Sequence, residues 1–429
     1  MLNENFLLDE YEQTGNDLDD FKALTEEMAE HTLFAKCDMS NVTVMNYYES
    51  NLIRYGDSDS DETISFHRIT PKDLTVENMR IAPSIKTGTI KLSSVLKKGN
   101  FTSLVSEMKR TGVMFFTGNK CMFVSSKVIT GRMHPFGLDG DFLQEHSFGR
   151  SLMLAERFAK CKPAERTLVI RQINGIKKVF SILGKNYSIL PQVILMEIYE
   201  KLLIHGMGKV TCRAWNVTHF TSTIHVEFPD KAAEFKALYG LPDELVPGLL
   251  LQTSDTGDSS LRIQGTWRHG DSVSLHHEIV QKHRGAINVD EIIKDVDETI
   301  FSEYTKMPET LCNLMAEDIT DPTWDLNTTS GKVKNRKLLS AIMRNASLQL
   351  NLTKAIGKKA ECQLMEQLIG ELDEGMAYTA YDMALHLMNA PSRIEGLHPL
   401  KMDNLASAIG RAPYIKFEVK KAPALTLTA

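Results

Sequence analysis

The spacing of hydrophobic and polar residues changes once along the chain, near residue 285. Before that point, apolar residues alternate with polar ones in short runs bounded by Gly, Asn or Asp, which is typical of β-hairpins. After it, apolar residues recur every three or four positions, as at Ile292, Val296 and Ile300, which predicts amphipathic helices. The pattern therefore predicts an α+β protein: a β-hairpin-rich central body with short helices, followed by a helical C-terminal region.

The strongest hairpin signal is Asn174-Gly175, which separates the strand-like runs 166–171 and 177–182. Both residues tolerate the positive φ that a two-residue hairpin turn requires. Three further strand pairs are predicted at 112–118 with 121–124, 209–215 with 218–228, and 249–253 with 261–267. The last pair encloses a turn-rich segment, Ser254-Asp255-Thr256-Gly257-Asp258, within the stretch 246–287 around which the chain is organised.

Charge and composition divide the chain into four predicted segments. They are an acidic N-terminal arm (1–62), an α+β body with a basic first half (63–285), the helical C-terminal region (286–419) and a disordered tail (420–429). An acidic, turn-rich loop at 56–62 is expected to separate the arm from the body, because it lacks apolar residues that could pack.

The net charge of −6 is distributed unevenly. The arm has 16 acidic and 3 basic residues, a net charge of −13, whereas residues 63–190 have 21 basic and 8 acidic residues, a net charge of +13. One hypothesis is that the arm masks a polyanion-binding surface on the basic block. The alternative is that the arm packs on the body through its apolar residues Phe21, Leu24, Met28 and Tyr47.

The composition excludes several classes of protein. The sequence has no run of about 18 apolar residues and no basic-then-apolar N-terminus, so neither a membrane span nor a secretory signal is predicted. Its six cysteines are scattered without CxxC spacing, which favours reduced thiols over zinc binding. We therefore expect a location in the cytoplasm, and no cofactor.

The basic block is the predicted nucleic-acid-binding surface, because Lys and Arg bind phosphates and aromatic faces stack on bases. Phe115, Phe116 and Phe123 lie on predicted strands and offer stacking faces, although strand alternation places some of them in a core. The candidate contacts to nucleic acid are Lys86, Lys91, Lys97, Lys98, Lys109, Arg110, Lys120, Lys127, Arg132, Phe115 and Phe123. Stacking favours a single strand as the ligand.

Four of the thirteen histidines, His269, His276, His277 and His283, lie within fifteen residues. Imidazoles bind metals and act as acid–base groups near neutral pH, so these are candidate metal ligands. If they lay on a single strand, His269 and His277 would share one face. The spacing does not match the HExxH helix of zinc hydrolases, and no GxSxG, Walker or GxGxxG motif occurs. A catalytic role for these residues is therefore the weaker alternative, and no catalytic residue is assigned.

Scattered positions between about residues 80 and 415 resemble the uncharacterised "phage/plasmid-like" proteins, which bacteriophages and mobile elements encode. The positions that carry the resemblance are Pro247-Gly248, Ser254, Gly257, Ser260-Leu261, Ile263, His283-Arg284-Gly285, Lys178-Val179-Phe180-Ser181, Tyr187, Pro191, Thr379-Ala380-Tyr381-Asp382 and Ala408-Ile409-Gly410. The chain departs from that family at 267–271, which reads Trp-Arg-His-Gly-Asp where the family often has Cys-x-Asn-Gly. The resemblance implies a genomic setting and no particular activity.

These patterns lead to three hypotheses about function. The favoured one is a non-enzymatic phage or mobile-element protein that binds nucleic acid through the basic block. The second is a metal- or histidine-dependent enzyme centred on 269–283. The third is an assembly or host-defence-blocking protein whose acidic arm mimics DNA, with a homo-oligomer or a host or phage protein as further partners.

Overall fold

The computed structural model describes residues 2–47, 63–74, 86–91, 102–117, 120–132, 147–160, 165–203, 208–241, 244–285 and 287–419. The predicted acidic loop at 56–62 and the predicted disordered tail at 420–429 lie outside these residues. The strands are β1 Glu12–Gly15, β2 Thr32–Asp38, β3 Thr43–Tyr47, β4 Thr63–Ile69, β5 Lys86–Lys91, β6 Val113–Thr117, β7 Lys120–Val124, β8 Glu165–Ile173, β9 Ile176–Leu183, β10 Thr211–Thr218, β11 Ser222–Glu227, β12 Leu245–Thr253, β13 Leu261–His269 and β14 Ser272–Gln281.

Helices connect the strands and then form the C-terminal region. The helices are α1 Leu18–Glu30, α2 Thr102–Thr111, α3 Ser147–Lys160, α4 Ile194–Leu203, α5 Pro229–Tyr239, α6 Val289–Asp295, α7 Ser302–Met315, α8 Thr329–Leu350, α9 Leu352–Ile356, α10 Lys358–Glu371, α11 Ala380–Met388 and α12 Pro399–Ile409. Among the described residues, none of these helices is long and apolar enough to cross a membrane. The predicted α+β class is confirmed.

The strands form two sheets. One has six strands in the order β1-β10-β11-β12-β13-β14, and all its neighbours are antiparallel. The other has eight strands in the order β2-β8-β9-β7-β6-β3-β4-β5, with β7 and β9 as its parallel pair. The hairpin predicted at Asn174-Gly175 joins β8 to β9, and both turn residues have positive φ, 51° and 81°. The type of turn is therefore the one that the Asn-Gly pair specifies.

The acidic N-terminal residues that the structure describes are part of both sheets. β1 is an edge strand of the six-stranded sheet, β2 is an edge strand of the eight-stranded sheet, and β3 pairs with β4 and β6 inside it. Phe6, Leu7 and Phe21 are fully buried, and Met28 is 1% exposed. Residues 2–47 are thus not an arm tethered beside the body, because their apolar side chains fill its core.

Each sheet is covered by apolar side chains. Leu154 and Phe158 of α3 pack against one face of the eight-stranded sheet, where they meet Phe115 and Val179. A larger core continues from the other face of this sheet into the six-stranded sheet and the C-terminal helices. Its largest fully buried side chain is Trp267 of β13. The Trp267 ring meets the Tyr304 ring of α7 edge-on, with 5.2 Å between the ring centres.

A buried ion pair joins the two sheets. Arg171 of β8 donates two hydrogen bonds of 2.8 Å to the carboxylate of Asp255, which follows β12 in the other sheet. Both side chains are almost fully buried, at 1% and 4% exposed. A guanidinium forms this fork-like contact with a carboxylate at fixed geometry, so the pair sets the relative position of the two sheets.

A second buried cation, Lys178 of β9, lies among N-terminal groups. Its ammonium contacts the carboxylates of Asp9, at 2.7 Å, and Glu107, and it donates to the Leu7 carbonyl. Burial alone would raise the pKa of Asp9. Attraction to Lys178 and hydrogen bonds from Ser126 outweigh that effect and hold the pKa below its usual range.

The turn-rich segment 254–258 is the loop that carries Asp255. The Ser254 hydroxyl accepts from the backbone N–H groups of Thr256 and Asp258, and Gly257 supplies a positive φ of 80°. The Thr256 carbonyl accepts a 2.6 Å hydrogen bond from the Ser181 hydroxyl in the eight-stranded sheet. The segment is buried because it forms part of the contact between the sheets.

Asp255→Asn should destabilise the fold strongly, since it leaves the Arg171 charge buried without its counter-ion. The expected loss in the free energy of unfolding is about 3–5 kcal/mol. Glu371→Gln is the matched control, because Glu371 pairs with Arg393 at 3.0 Å in a partly exposed position and should lose about 0–1 kcal/mol. Urea unfolding measures both variants. Equal losses would show that the buried pair does not hold the sheets together.

Candidate functional site

The structure corrects the predicted stacking faces of the basic block. Phe115 is fully buried and Phe123 is 1% exposed, each within a hydrophobic core. Phe116 is half-buried against the larger core. Strand alternation and pairing with β3 and β7 turn these rings inward, so Phe115 and Phe123 are not available to stack on bases.

The predicted basic contacts have different surroundings. Lys127 pairs with Asp258 at 2.8 Å, with its ammonium 4.0 Å from the centre of the Phe220 ring, and Arg110 lies 3.8 Å from Glu107. Lys86 and Lys120 are exposed, and Lys109 is half-buried. Lys97 and Lys98 lie outside the described residues, and so do the side chains of Lys91 and Arg132. Arg171 and Lys178 are buried, so these two cations of the block stabilise the fold rather than face solvent.

The four clustered histidines are distributed over two strands and a loop. A turn at Gly270 separates β13 from β14, so His269 and His277 do not share a strand face. Nδ1 of His269 is 3.1 Å from Oδ1 of Asn389, whereas Nδ1 of His283 is 3.2 Å from the Ser188 carbonyl oxygen. Within the described residues no group of three or more His, Cys, Asp or Glu side chains could hold a metal ion.

A basic surface that the sequence prediction missed lies on the C-terminal helices. Residues 329–359 contain eight Lys or Arg residues and no Asp or Glu. They form α8, α9 and the start of α10. The Thr328 hydroxyl caps α8 by accepting from the Gly331 N–H at 3.1 Å, and Asn351 ends it with a positive φ of 58°. We call residues 329–359 the basic helical segment.

Its cations are concentrated on exposed positions. Arg336, Lys337 and Arg344 line a groove of about 640 Å³ along α8, with the small residues Ser340 and Ala341 between them. Lys337 and Arg344 are seven residues apart, so they lie on one face of the helix, two turns apart. Arg336 lies 3.5 Å from Glu374 in a weak, exposed pair.

A second group of cations surrounds the turn at Gly357, between α9 and α10. Lys354, Lys358 and Lys359 are exposed there, and the Lys401 ammonium of α12 lies 3.7 Å from where a Gly357 Cβ would be. Within the described part of the chain these four residues form no ion pair, and neither do Lys337 and Arg344. Their charge is therefore available to an external anion.

The sequence contained a signal for this surface. A stretch of 31 residues with a net charge of +8 and no acidic residue stands out in a chain whose net charge is −6. The larger excess of positive charge lies at 63–190, but that block also contains acidic residues and supplies buried ion pairs. The distribution of both signs of charge, rather than the net sum, identifies the exposed cations.

Comparisons of this chain with protein-family models, with curated proteins and with solved structures gave no match. The resemblance to phage-encoded proteins therefore stays a prediction.

The pH dependence of stability should reveal the buried histidines. Burial, with a smaller effect of His277, lowers the pKa of His276 to about 3, and burial lowers that of His225 to about 4. Below pH 6.5, the approximate pKa of an unfolded histidine, these imidazoles bind protons in the unfolded chain but not in the folded one. The free energy of unfolding therefore decreases as the pH is lowered, until the folded pKa is reached. His276→Gln should reduce the loss between pH 6.5 and 5 by about 1–2 kcal/mol. Urea unfolding at both pH values measures it, and an unchanged loss would contradict a neutral buried His276.

Proposed function

We propose that this protein binds nucleic acid and is not an enzyme, and that the basic helical segment makes the contacts. The observation that carries the proposal is the exposure of seven cations in a segment without a single carboxylate, namely Lys334, Arg336, Lys337, Arg344, Lys354, Lys358 and Lys359. An origin in a phage or mobile element, and a location in the cytoplasm of a bacterial host, belong to the same proposal and rest on the sequence resemblance.

Phosphates fit this surface better than any sequence-specific feature of nucleic acid. Lys and Arg contact backbone oxygens through charge and hydrogen bonds, and binding releases condensed counterions. The basic helical segment contains no aromatic residue, so it offers no stacking platform for unpaired bases. The preference for a single strand depended on phenylalanines that are buried, and we therefore propose backbone binding with little dependence on sequence.

The small residues of the α8 groove support close approach of a strand. Ser340 and Ala341 have short side chains, so the groove stays open between the longer side chains that line it. Those are Arg336, Lys337 and Arg344. Val333 and Leu348, at 45% and 74% exposed, lie on the same face of the helix as Lys337. A polyanion lying along this face would meet cations spaced over several turns, and the weak, exposed pair of Arg336 with Glu374 is the ion pair that it would displace.

Removing charge from the basic helical segment should weaken nucleic-acid binding and flatten its salt dependence. Each phosphate contact adds about 0.9 to the slope of log K against log salt for duplex DNA, and about 0.7 for a single strand. The triple variant Lys337→Gln, Arg344→Gln, Lys358→Gln should therefore reduce the slope by up to about 2–3. Fluorescence anisotropy with a labelled oligonucleotide, between about 50 and 200 mM salt, measures it.

The matched control is Lys86→Gln, Lys109→Gln, Lys120→Gln, which removes the same charge from the predicted basic block. We expect a smaller effect, because Lys109 of this block is half-buried, whereas Lys337, Arg344 and Lys358 are all exposed. An equal or larger effect would move the interface to the block. Absence of binding at low salt, to single- and double-stranded DNA and RNA alike, would overturn the proposed function.

A further inference from the structure

His277 has a backbone conformation that side chains rarely adopt. Its φ is 37°, and it is the extra residue of a β-bulge: Gln264 pairs with Glu278 and Gly265 pairs with His276, so His277 has no partner on β13. A bulge re-aims a side chain, and a positive φ at a residue with a Cβ costs free energy that the surrounding contacts must offset. The strained backbone position is therefore occupied by a histidine.

The bulge directs the His277 ring toward a half-enclosed carboxylate of α7. Nε2 of His277 is 3.4 Å from Oε2 of Glu303, whose side chain is 10% exposed. Oε1 of Glu303 accepts a hydrogen bond from the Tyr414 hydroxyl. The Lys306 ammonium lies 3.8 Å from Oε2, the oxygen that faces His277. Burial, followed by the contact with Glu303, raises the pKa of Tyr414, so this hydroxyl stays a donor at neutral pH. Glu303 is thereby held in place from three sides.

These groups line a cavity of about 710 Å³ between β14 and the C-terminal turn. Two glycines make its shape possible. A Cβ at Gly265 would lie 2.4 Å from the His276 ring, and one at Gly410 would lie 2.1 Å from the Leu275 carbonyl oxygen. α12 therefore packs directly on β14, with the cavity beside this contact. A volume of this size holds a small organic molecule.

The charges around the cavity determine the sign of charge that a ligand should carry. The two carboxylates of the lining have their own partners, since Glu303 accepts from Tyr414 and lies near Lys306, and Glu278 lies 3.3 Å from Arg262. Arg411, by contrast, is exposed, and its hydrogen bond goes to the neutral Leu350 carbonyl at 2.9 Å. Arg411 therefore keeps an uncompensated charge and further N–H donors, which match the oxygens of a carboxylate or a phosphate.

We propose that this cavity binds a small molecule bearing a carboxylate or phosphate group, with Arg411 and His277 as the contacts to the anionic group. Glu303 orients the His277 imidazole. Tyr414 fixes Glu303 and is a positioning residue. The site is separate from the groove on α8 and does not depend on nucleic-acid binding.

Several charged or polar groups surround His277. They are His276 and Glu278 of its own strand, Glu303 and Lys306 of α7, and Arg411 and Tyr414 of the C-terminal turn. The half-buried His276 ring stacks on Trp267, and burial lowers its pKa to about 3, so it is neutral. Within the described residues, Arg411 is the cation of this group that has no carboxylate partner.

Equilibrium dialysis of the full chain with radiolabelled AMP and citrate tests the proposal, and the two probes distinguish phosphate from carboxylate. We expect binding of at least one probe, with roughly tenfold weaker binding by Arg411→Gln, since a hydrogen bond to a charged group contributes about 1.5–3 kcal/mol. His277→Gln should also weaken binding, because a flexible amide side chain does not hold a donor at the position that the bulge gives the imidazole ring.

Two controls separate the site from general charge effects. Arg393→Gln removes an exposed arginine outside the cavity, and Lys185→Gln removes an exposed lysine after β9; both should bind the probes as the wild type does. Thermal unfolding shows whether Arg411→Gln still folds, and His277→Gln tests the site independently of it. Binding of neither probe at millimolar concentration, or equal affinity of wild type, Arg411→Gln and His277→Gln, would overturn the proposal.

Discussion

The relative placement of the two sheets depends on one buried ion pair, Arg171 with Asp255. Forming this pair removes two charges from water, which costs free energy. Only a nearly ideal geometry offsets that cost, and the two 2.8 Å hydrogen bonds provide it. The loop 254–258 must therefore take one conformation, which the Ser254 hydroxyl and Gly257 enforce. The stretch around which the sequence is organised is thus the contact between the sheets, and its polar residues serve the fold.

The uneven charge of the sequence has a structural explanation. Asp9 from the acidic N-terminal segment contacts Lys178 in the middle of the basic block, inside the fold. Opposite charges far apart in sequence are brought together by β2 pairing with β8 and by the burial of Phe6 and Leu7. A large net charge on a segment of sequence therefore does not imply a charged surface. The basic helical segment differs because seven of its cations are exposed, and the pair of Arg336 with Glu374 is its ion pair in the described part of the chain.

Local signals in the sequence predicted local structure well. Asn174-Gly175 specified its own turn, in which both residues have the positive φ that this pair tolerates. The N-terminal strands were not predicted, because no tight turn joins them to a partner: β2 pairs with β8, far along the chain, and β3 pairs with β4 and β6 through long connections. The bulge at His277 was also beyond prediction, since it arises from the fit of Gly265 against His276 across two strands. Residue type marked the histidines as candidates, but only pairing decided which of them faces a cavity.

The groove on α8 and the cavity beside β14 are separate sites on one helical scaffold, and Arg411 shows how they are connected. Its guanidinium donates to the carbonyl of Leu350, the last residue of α8, where a cation also complements the negative end of the helix dipole. The same residue lines the cavity, and the short turn that begins at Arg411 carries Tyr414 to Glu303. The end of α8 and the wall of the cavity are therefore fixed by one side chain. A change at Arg411 alters both places, whereas a change at His277 alters only the cavity, so His277 is the residue whose substitution isolates the cavity's chemistry from the position of the basic helix.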